Sequence, residues 1–228
     1  HKLRIALRLD ELGNHYIEGG WPGANPTDKQ FFKDIRSYEL KNAKVAAFGS
    51  TRNAKLAPEK DSNLKALVDC KARVLTIFGK TWDLHATKAL GVSLEENLAI
   101  IGDSLGFLRP RCAELFFDAE HFFDGYKLDA DYALQTLQAA LDGRAQVLVL
   151  CDTNGGFLPH EIEEITAAGT GPLTCPGGVH THNDSRRAVA KALAAVRAGA
   201  PPFPGTFQRL GGGRGHSDPS PPIPHFVP

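Results

Sequence analysis

Two rhythms alternate along the chain. Apolar runs at residues 15–20 (HYIEGG), 43–49 (AKVAAFG), 72–79 (ARVLTIFG), 113–120 (AELFFDAE), 145–152 (AQVLVLCD), 177–183 (GGVHTHN) and, more weakly, 202–207 (PFPGTF) predict strands. Between them, apolar residues at helical spacing predict helices over 28–38, 59–70, 92–108, 129–142, 159–168 and 184–198, and one more, residues 2–12, precedes the first strand. Strands alternating with helices are the sequence form of βα units around a parallel sheet. A chain that opens on a helix and closes just after a strand predicts an α/β fold, a (β/α)8 TIM barrel without its first strand and last helix. The alternative is an open doubly wound sheet, but no G-x-G-x-x-G or G-x-x-x-x-G-K-[ST] follows any strand. Residues 1–207 are therefore expected to form the partial barrel, and 208–228, rich in Gly and Pro, a loop or disordered tail.

Composition narrows the partners. The 228 residues are 42% hydrophobic and 23% charged, enough to bury a sizeable core. Lys plus Arg and Asp plus Glu both number 26, so no basic field exists to attract nucleic acid or an anionic membrane. Cys70, Cys112, Cys151 and Cys175 form no C-x-x-C pair and fit the reduced thiols of a cytoplasmic protein. No apolar run approaches the roughly 20 residues that cross a bilayer. The lack of any Met and the start at His1 lead us to expect further chain upstream.

Polar residues collect where the expected strands end: Glu18, Lys80, Asp118, Glu120, Asp152, Thr153, His180 and His182. A barrel keeps its chemistry at that end. His180 and His182 are two apart, so on a strand both point to one side, an arrangement that suits a divalent cation such as Zn, Fe, Co or Mn, or Mg with carboxylate and water. Alone, H-x-H fits two polar histidines at a strand end equally well. Asp184 is expected to cap the following helix.

The segments YIEGGWPGANPTD, AAFGSTR, TIFGKTWDLH, FFDAEHFFDGYK, LVLCDTNGG, VHTHND and AVAKALAAVRAGA occur in the same order as in the citramalate synthases, relatives of 2-isopropylmalate and homocitrate synthases in the DRE-TIM metallolyase superfamily. The resemblance runs from about residue 2 to 206. It implies a TIM barrel in which a divalent metal (Mg, Mn or Zn) holds a 2-oxo acid, pyruvate by resemblance, while acetyl-CoA is deprotonated and attacks the keto carbon. Thioester hydrolysis then releases CoA. It further implies small-molecule substrates, a cytoplasmic homodimer in the full-length protein, and a place in isoleucine or leucine biosynthesis. His180 and His182 resemble the histidine ligands of the metal, Glu120 a carboxylate with a hydrogen-bonding or proton-transfer role, and Thr153 a residue contacting the oxo acid. Glu18 and His85 resemble pocket residues, and Lys80 either meets a carboxylate or a CoA phosphate or lies on a solvated face.

Two departures qualify the resemblance. The family's first strand carries an Arg-Asp pair that serves the metal and the developing oxyanion, and residues 1–228 hold no counterpart. Where the family shows G-T-x-N-G-x-G-E-R-x-G-N, this chain reads GTFQRLGGGRGH, with Gly212 in place of the Glu and His216 in place of the metal-side Asn. The expectation is an N-terminally truncated, C-terminally divergent synthase barrel, inactive as residues 1–228 alone. The alternatives are a carbon–carbon lyase resembling 3-hydroxy-3-methylglutaryl-CoA lyase, and an inactive metal-binding barrel fragment.

Overall fold

A computed structural model describes residues 1–171 and 175–200. Strands β1 (Tyr16–Glu18), β2 (Lys44–Ser50), β3 (Val74–Lys80), β4 (Glu114–Glu120), β5 (Val147–Asp152) and β6 (Gly177–Thr181) form one sheet in chain order. Pairing is parallel between β1 and β2, β2 and β3, and β5 and β6. The helices are α1 (Lys2–Glu11), α2 (Pro26–Asp34), α3 (Ser62–Asp69), α4 (Leu94–Leu108), α5 (Phe122–Leu128), α6 (Ala130–Asp142), α7 (Pro159–Thr170) and α8 (Ala188–Arg197). Strands in sequential order with helical crossovers make this an incomplete (β/α)8 barrel.

The six strands expected before residue 184 are all present, and the seventh (202–207), the tail and His216 lie outside the described residues. Three departures from the helical pattern have a local cause. α2 starts two residues earlier than expected because Asn25 Oδ1 accepts from Thr27 N at 2.9 Å and Pro26 fills the first helical position. α8 starts at Ala188, and its first amide is taken at 3.2 Å by Asn183 Oδ1 rather than by Asp184. α5 has no counterpart in the pattern, since a helix of 7 residues is too short for periodicity to resolve.

The chain falls into two compact units. The first comprises His1–Gly79, Glu95–Phe117 and Ala139–Gln146. Its core holds Leu64, Leu67, Val74, Ile77, Ile100, Ile101 and Leu105, all buried. α3 lies so close to β2 that a Cβ on Gly49 would stand 2.9 Å from Leu67 Cδ1, which is why glycine occupies that position. Two buried charges order its loops. Arg52, after β2, reaches Asp103 Oδ2 on α4 at 2.8 Å and Glu96 at 3.2 Å, and Asp10 accepts the backbone N–H groups of Lys41, Asn42 and Ala43 at 2.7–2.9 Å.

The second unit comprises Lys80–Leu94, Asp118–Gln138 and Val147–Pro228, described to Ala200. β5 reads VLVLCD, a continuous apolar run that suits a strand covered on both faces, and Leu148, Val149 and Leu150 are buried. Phe122 and Phe123 of α5 and the alanines 188, 192, 194 and 195 of α8 complete the packing. Cys151 lies opposite His180 in the β5–β6 register, and Asp152 opposite Thr181. That register places the chemistry described next.

Candidate active site

Side chains alternate along a strand, so Asp118 and Glu120 share one face of β4, Cys151 and Thr153 continue one face of β5, and His180 and His182 one face of β6. The second unit brings these together. Asp118 Oδ2 lies 4.0 Å from His180 Nδ1, and one ligating atom each from Asp118, Cys151 and His180 lie within 4.8 Å of one another. The rings of His180 and His182 have centroids 5.0 Å apart. Glu120 accepts a hydrogen bond from the Lys80 ammonium, so this cation, which the sequence leaves between an anion and a solvated face, meets a carboxylate of its own chain.

Burial sets the charges. It pushes the His180 imidazole down to about 4, and burial, with His180 alongside, brings His182 to about 4 as well. Both rings are therefore neutral at neutral pH, the state in which imidazole ligates a metal. Burial, followed by the charge on Glu120, pushes Asp118 up to about 7. Two neutral imidazoles beside a carboxylate and a thiol form a donor set that fits a divalent cation. His180 and His182 could hold it, with Asp118 and Cys151 gathered on the His180 side.

A second group adjoins the Lys80 and Glu120 strand ends. His85 opens a π-helical turn, His85–Leu90, with its ring centroid 4.7 Å from Trp82 and 4.4 Å from His121. His85 Nδ1 and Trp82 Nε1 are buried with no hydrogen-bond partner among the described residues. Burial, then His121 and Lys80, lower the His85 pKa. His121 caps α5 in the left-handed region at φ 60, rare for a residue with a side chain. Its N–H donates to Thr153 Oγ1 at 2.9 Å, and its Nδ1 lies 3.1 Å from Asp124 Oδ2. Partial burial of Asp124 opposes its ionisation, yet hydrogen bonds from His121 and Asn154 hold it below its ordinary value.

Five of the six sequence-predicted site residues thus occur in the second unit: His85, Glu120, Thr153, His180 and His182. Glu18 belongs to the first unit, exposed at the end of β1. Asp152 does not face the same way as its neighbours: its carboxylate accepts from the Lys191 ammonium on α8, on the opposite face of β5 from Cys151. Sequence reasoning missed Cys151, His121, Asp124 and Lys191. A signal existed for Lys191, a lone cation in AVAKALAAV three residues after Ala188 and four before Ala195, on the face that α8 buries.

The chain resembles known proteins over most of its length. The chain is 57% identical over 92% of its length to the (R)-citramalate synthase of Geobacter sulfurreducens, covering 40% of that protein. It is 50% identical over 95% of its length to the (R)-citramalate synthase of Aquifex aeolicus, covering 41% of it. The chain therefore spans about two fifths of the length of these curated relatives. Among solved structures, the HMG-CoA lyase of Bacillus subtilis superposes with a TM-score of 0.77 at 16% identity, over 98% of this chain and 77% of that one, a likeness of fold. The family model described as HMGL-like matches residues 1–218, and the chain belongs to that family.

Proposed function

We propose that the protein of which this chain is part joins acetyl-CoA to a 2-oxo acid, pyruvate, to give citramalate and free CoA, using a divalent metal held by His180 and His182. The observation that carries the reading is the imidazole pair of His180 and His182, ring centroids 5.0 Å apart and bordered by Asp118. Its similarity to the two (R)-citramalate synthases supports pyruvate as the oxo acid. A small-molecule reaction in a cytoplasmic homodimer completes the reading. Among the described residues no helix is long and apolar enough to cross a membrane.

The metal, when bound, supplies Lewis-acid polarisation of the keto group. The remaining work falls to side chains. In this reading Glu120 hydrogen-bonds the substrate or moves the acetyl methyl proton, and its hydrogen bond from Lys80, which orients the carboxylate, supports that role. Thr153 already accepts the His121 N–H, which leaves its own O–H to donate to the oxo acid carboxylate. His85, with Nδ1 unbonded beside Trp82, is a polar wall for the same pocket. In balance, a methyl C–H bond breaks, a C–C bond forms to the keto carbon, the former keto oxygen gains a proton, and water cleaves the thioester.

The test is thiol release from acetyl-CoA by the full-length protein, screened over pyruvate, 2-oxoisovalerate and 2-oxoglutarate. Release with pyruvate above the other two is expected. Release confined to another oxo acid corrects the substrate, and cleavage of 3-hydroxy-3-methylglutaryl-CoA without any condensation overturns the reading in favour of a lyase.

A further inference from the structure

The Lys191 side chain is fully buried, with 0% exposure, in the middle of α8. An ammonium group is among the costliest groups to take out of water, and its burial is tolerated only when acceptors replace its hydration. Here they do. Its three N–H donors meet the Asp152 carboxylate, the Gly155 carbonyl at 3.1 Å and the His182 carbonyl at 2.8 Å. These acceptors come from three places: the end of β5, the turn beyond it, and the residue that follows β6.

The surroundings fix each acceptor. Gly155 N donates back to the Asp152 carbonyl at 3.1 Å, and the Ser185 hydroxyl shares the Gly155 carbonyl at 2.6 Å. Gly155 has φ +66, and a Cβ there would stand 3.1 Å from Asp184 Cβ, so the turn has no slack on that side. The His182 N–H points at the Asp152 carbonyl at 3.4 Å. Asp152 and Lys191 lie behind β5, whereas Cys151, His180 and His182 lie in front. Lys191 thus reaches the candidate metal site through the backbone, by holding the carbonyl of one of its histidines.

We propose that Lys191 is a positioning residue: its ammonium clamps the ends of β5 and β6 and so sets the aim of His182 beside His180. The proposal rests on the metal reading above. A side chain that merely fills space, or merely neutralises Asp152, would be replaceable by a neutral pair of similar size. A clamp would not, because the His182 carbonyl would lose its donor.

The experiment compares the full-length wild-type protein with its Lys191→Met and Lys191→Met/Asp152→Asn variants, reading the unfolding midpoint, Co2+ affinity by titration, and amide hydrogen exchange at residues 181–183. Lys191→Met strands a buried carboxylate and lowers the midpoint, and the double variant, with no buried charge, regains most of it. Both variants are expected to bind Co2+ at least about tenfold more weakly, and the double variant to exchange faster at Thr181, His182 and Asn183. A double variant with recovered stability, wild-type Co2+ affinity and wild-type exchange overturns the proposal. If the full-length wild-type protein binds no Co2+, the metal reading fails, and exchange at 181–183 alone decides whether the clamp exists. Should neither variant fold, the wild-type protein still answers: the Lys191 Nζ protons should be protected and shift when Zn2+ is added, and an unprotected or unmoved resonance rules the clamp out.

Discussion

Lys80 and Glu120, the last residues of β3 and β4, form an ion pair with side chains 21% and 24% exposed. The ammonium holds the carboxylate at the strand ends, close enough to Asp118 for the Glu120 charge to help raise that group. Replacing Glu120 by Gln keeps the shape and an acceptor for Lys80 but removes the carboxylate proposed to move the proton. Turnover of the full-length enzyme is expected to fall about a hundredfold, the lower range of acid–base effects, with metal still bound. Steady-state CoA release together with a metal titration checks this, and a variant with normal turnover makes Glu120 a bystander.

His182→Ala removes one of two imidazoles that burial keeps neutral. Mn2+ affinity is expected to weaken about tenfold, about 1.4 kcal/mol, in a calorimetric titration. His180 remains in place beside Asp118, so binding should weaken rather than vanish. Unchanged affinity would remove the ligand assignment.

What the sequence revealed, and what it hid, follows from the physics of each element. The six strands were legible because each is an apolar run bounded by turn residues, and the H-x-H pair because strand parity alone puts both rings on one side. Asp152 was misjudged with the polar strand ends, since a run as uniform as VLVLCD gives no hint of which parity faces the helices. α5 escaped because its first residue enters from a left-handed His121, a conformation that depends on contacts with Thr153 and Asp124, 32 and 3 residues away. Lys191 was visible as a cation on an apolar stripe, but its acceptors lie 9 to 39 residues distant and only folding brings them to it.

Gly125 lies within the first turn of α5, which carries the His121 and Asp124 pair. A Cβ there would run into the backbone that follows β3, standing 3.1 Å from both the Thr81 carbonyl carbon and Trp82 Cα. Backbone cannot swing aside as a side chain can. Gly125→Ala should cost about 1–3 kcal/mol in chemical denaturation, the range for overpacking a tight contact. A variant as stable as wild type would show that α5 shifts freely, and the His121 geometry would then lose its rigid support.

Asp10 offers a test of the first unit alone. Its carboxylate accepts three successive backbone N–H groups, and these hold it below its ordinary value of 3.8, Lys41 contributing most, then Ala43, with burial opposing and Asn42 adding less. A group whose pKa is depressed by folding binds its proton more weakly in the native state than in the unfolded chain. Its stabilising contribution is therefore complete above 3.8 and is lost as pH falls below 3.8 through the lower native value. Asp10→Asn cannot ionise, so it should melt at a lower temperature than wild type at neutral pH, and the gap should narrow as the solution is acidified past 3.8. Melting temperature followed against pH for both proteins decides the matter: two curves that stay parallel down to the lowest pH would show that the carboxylate charge contributes nothing to the loop it caps.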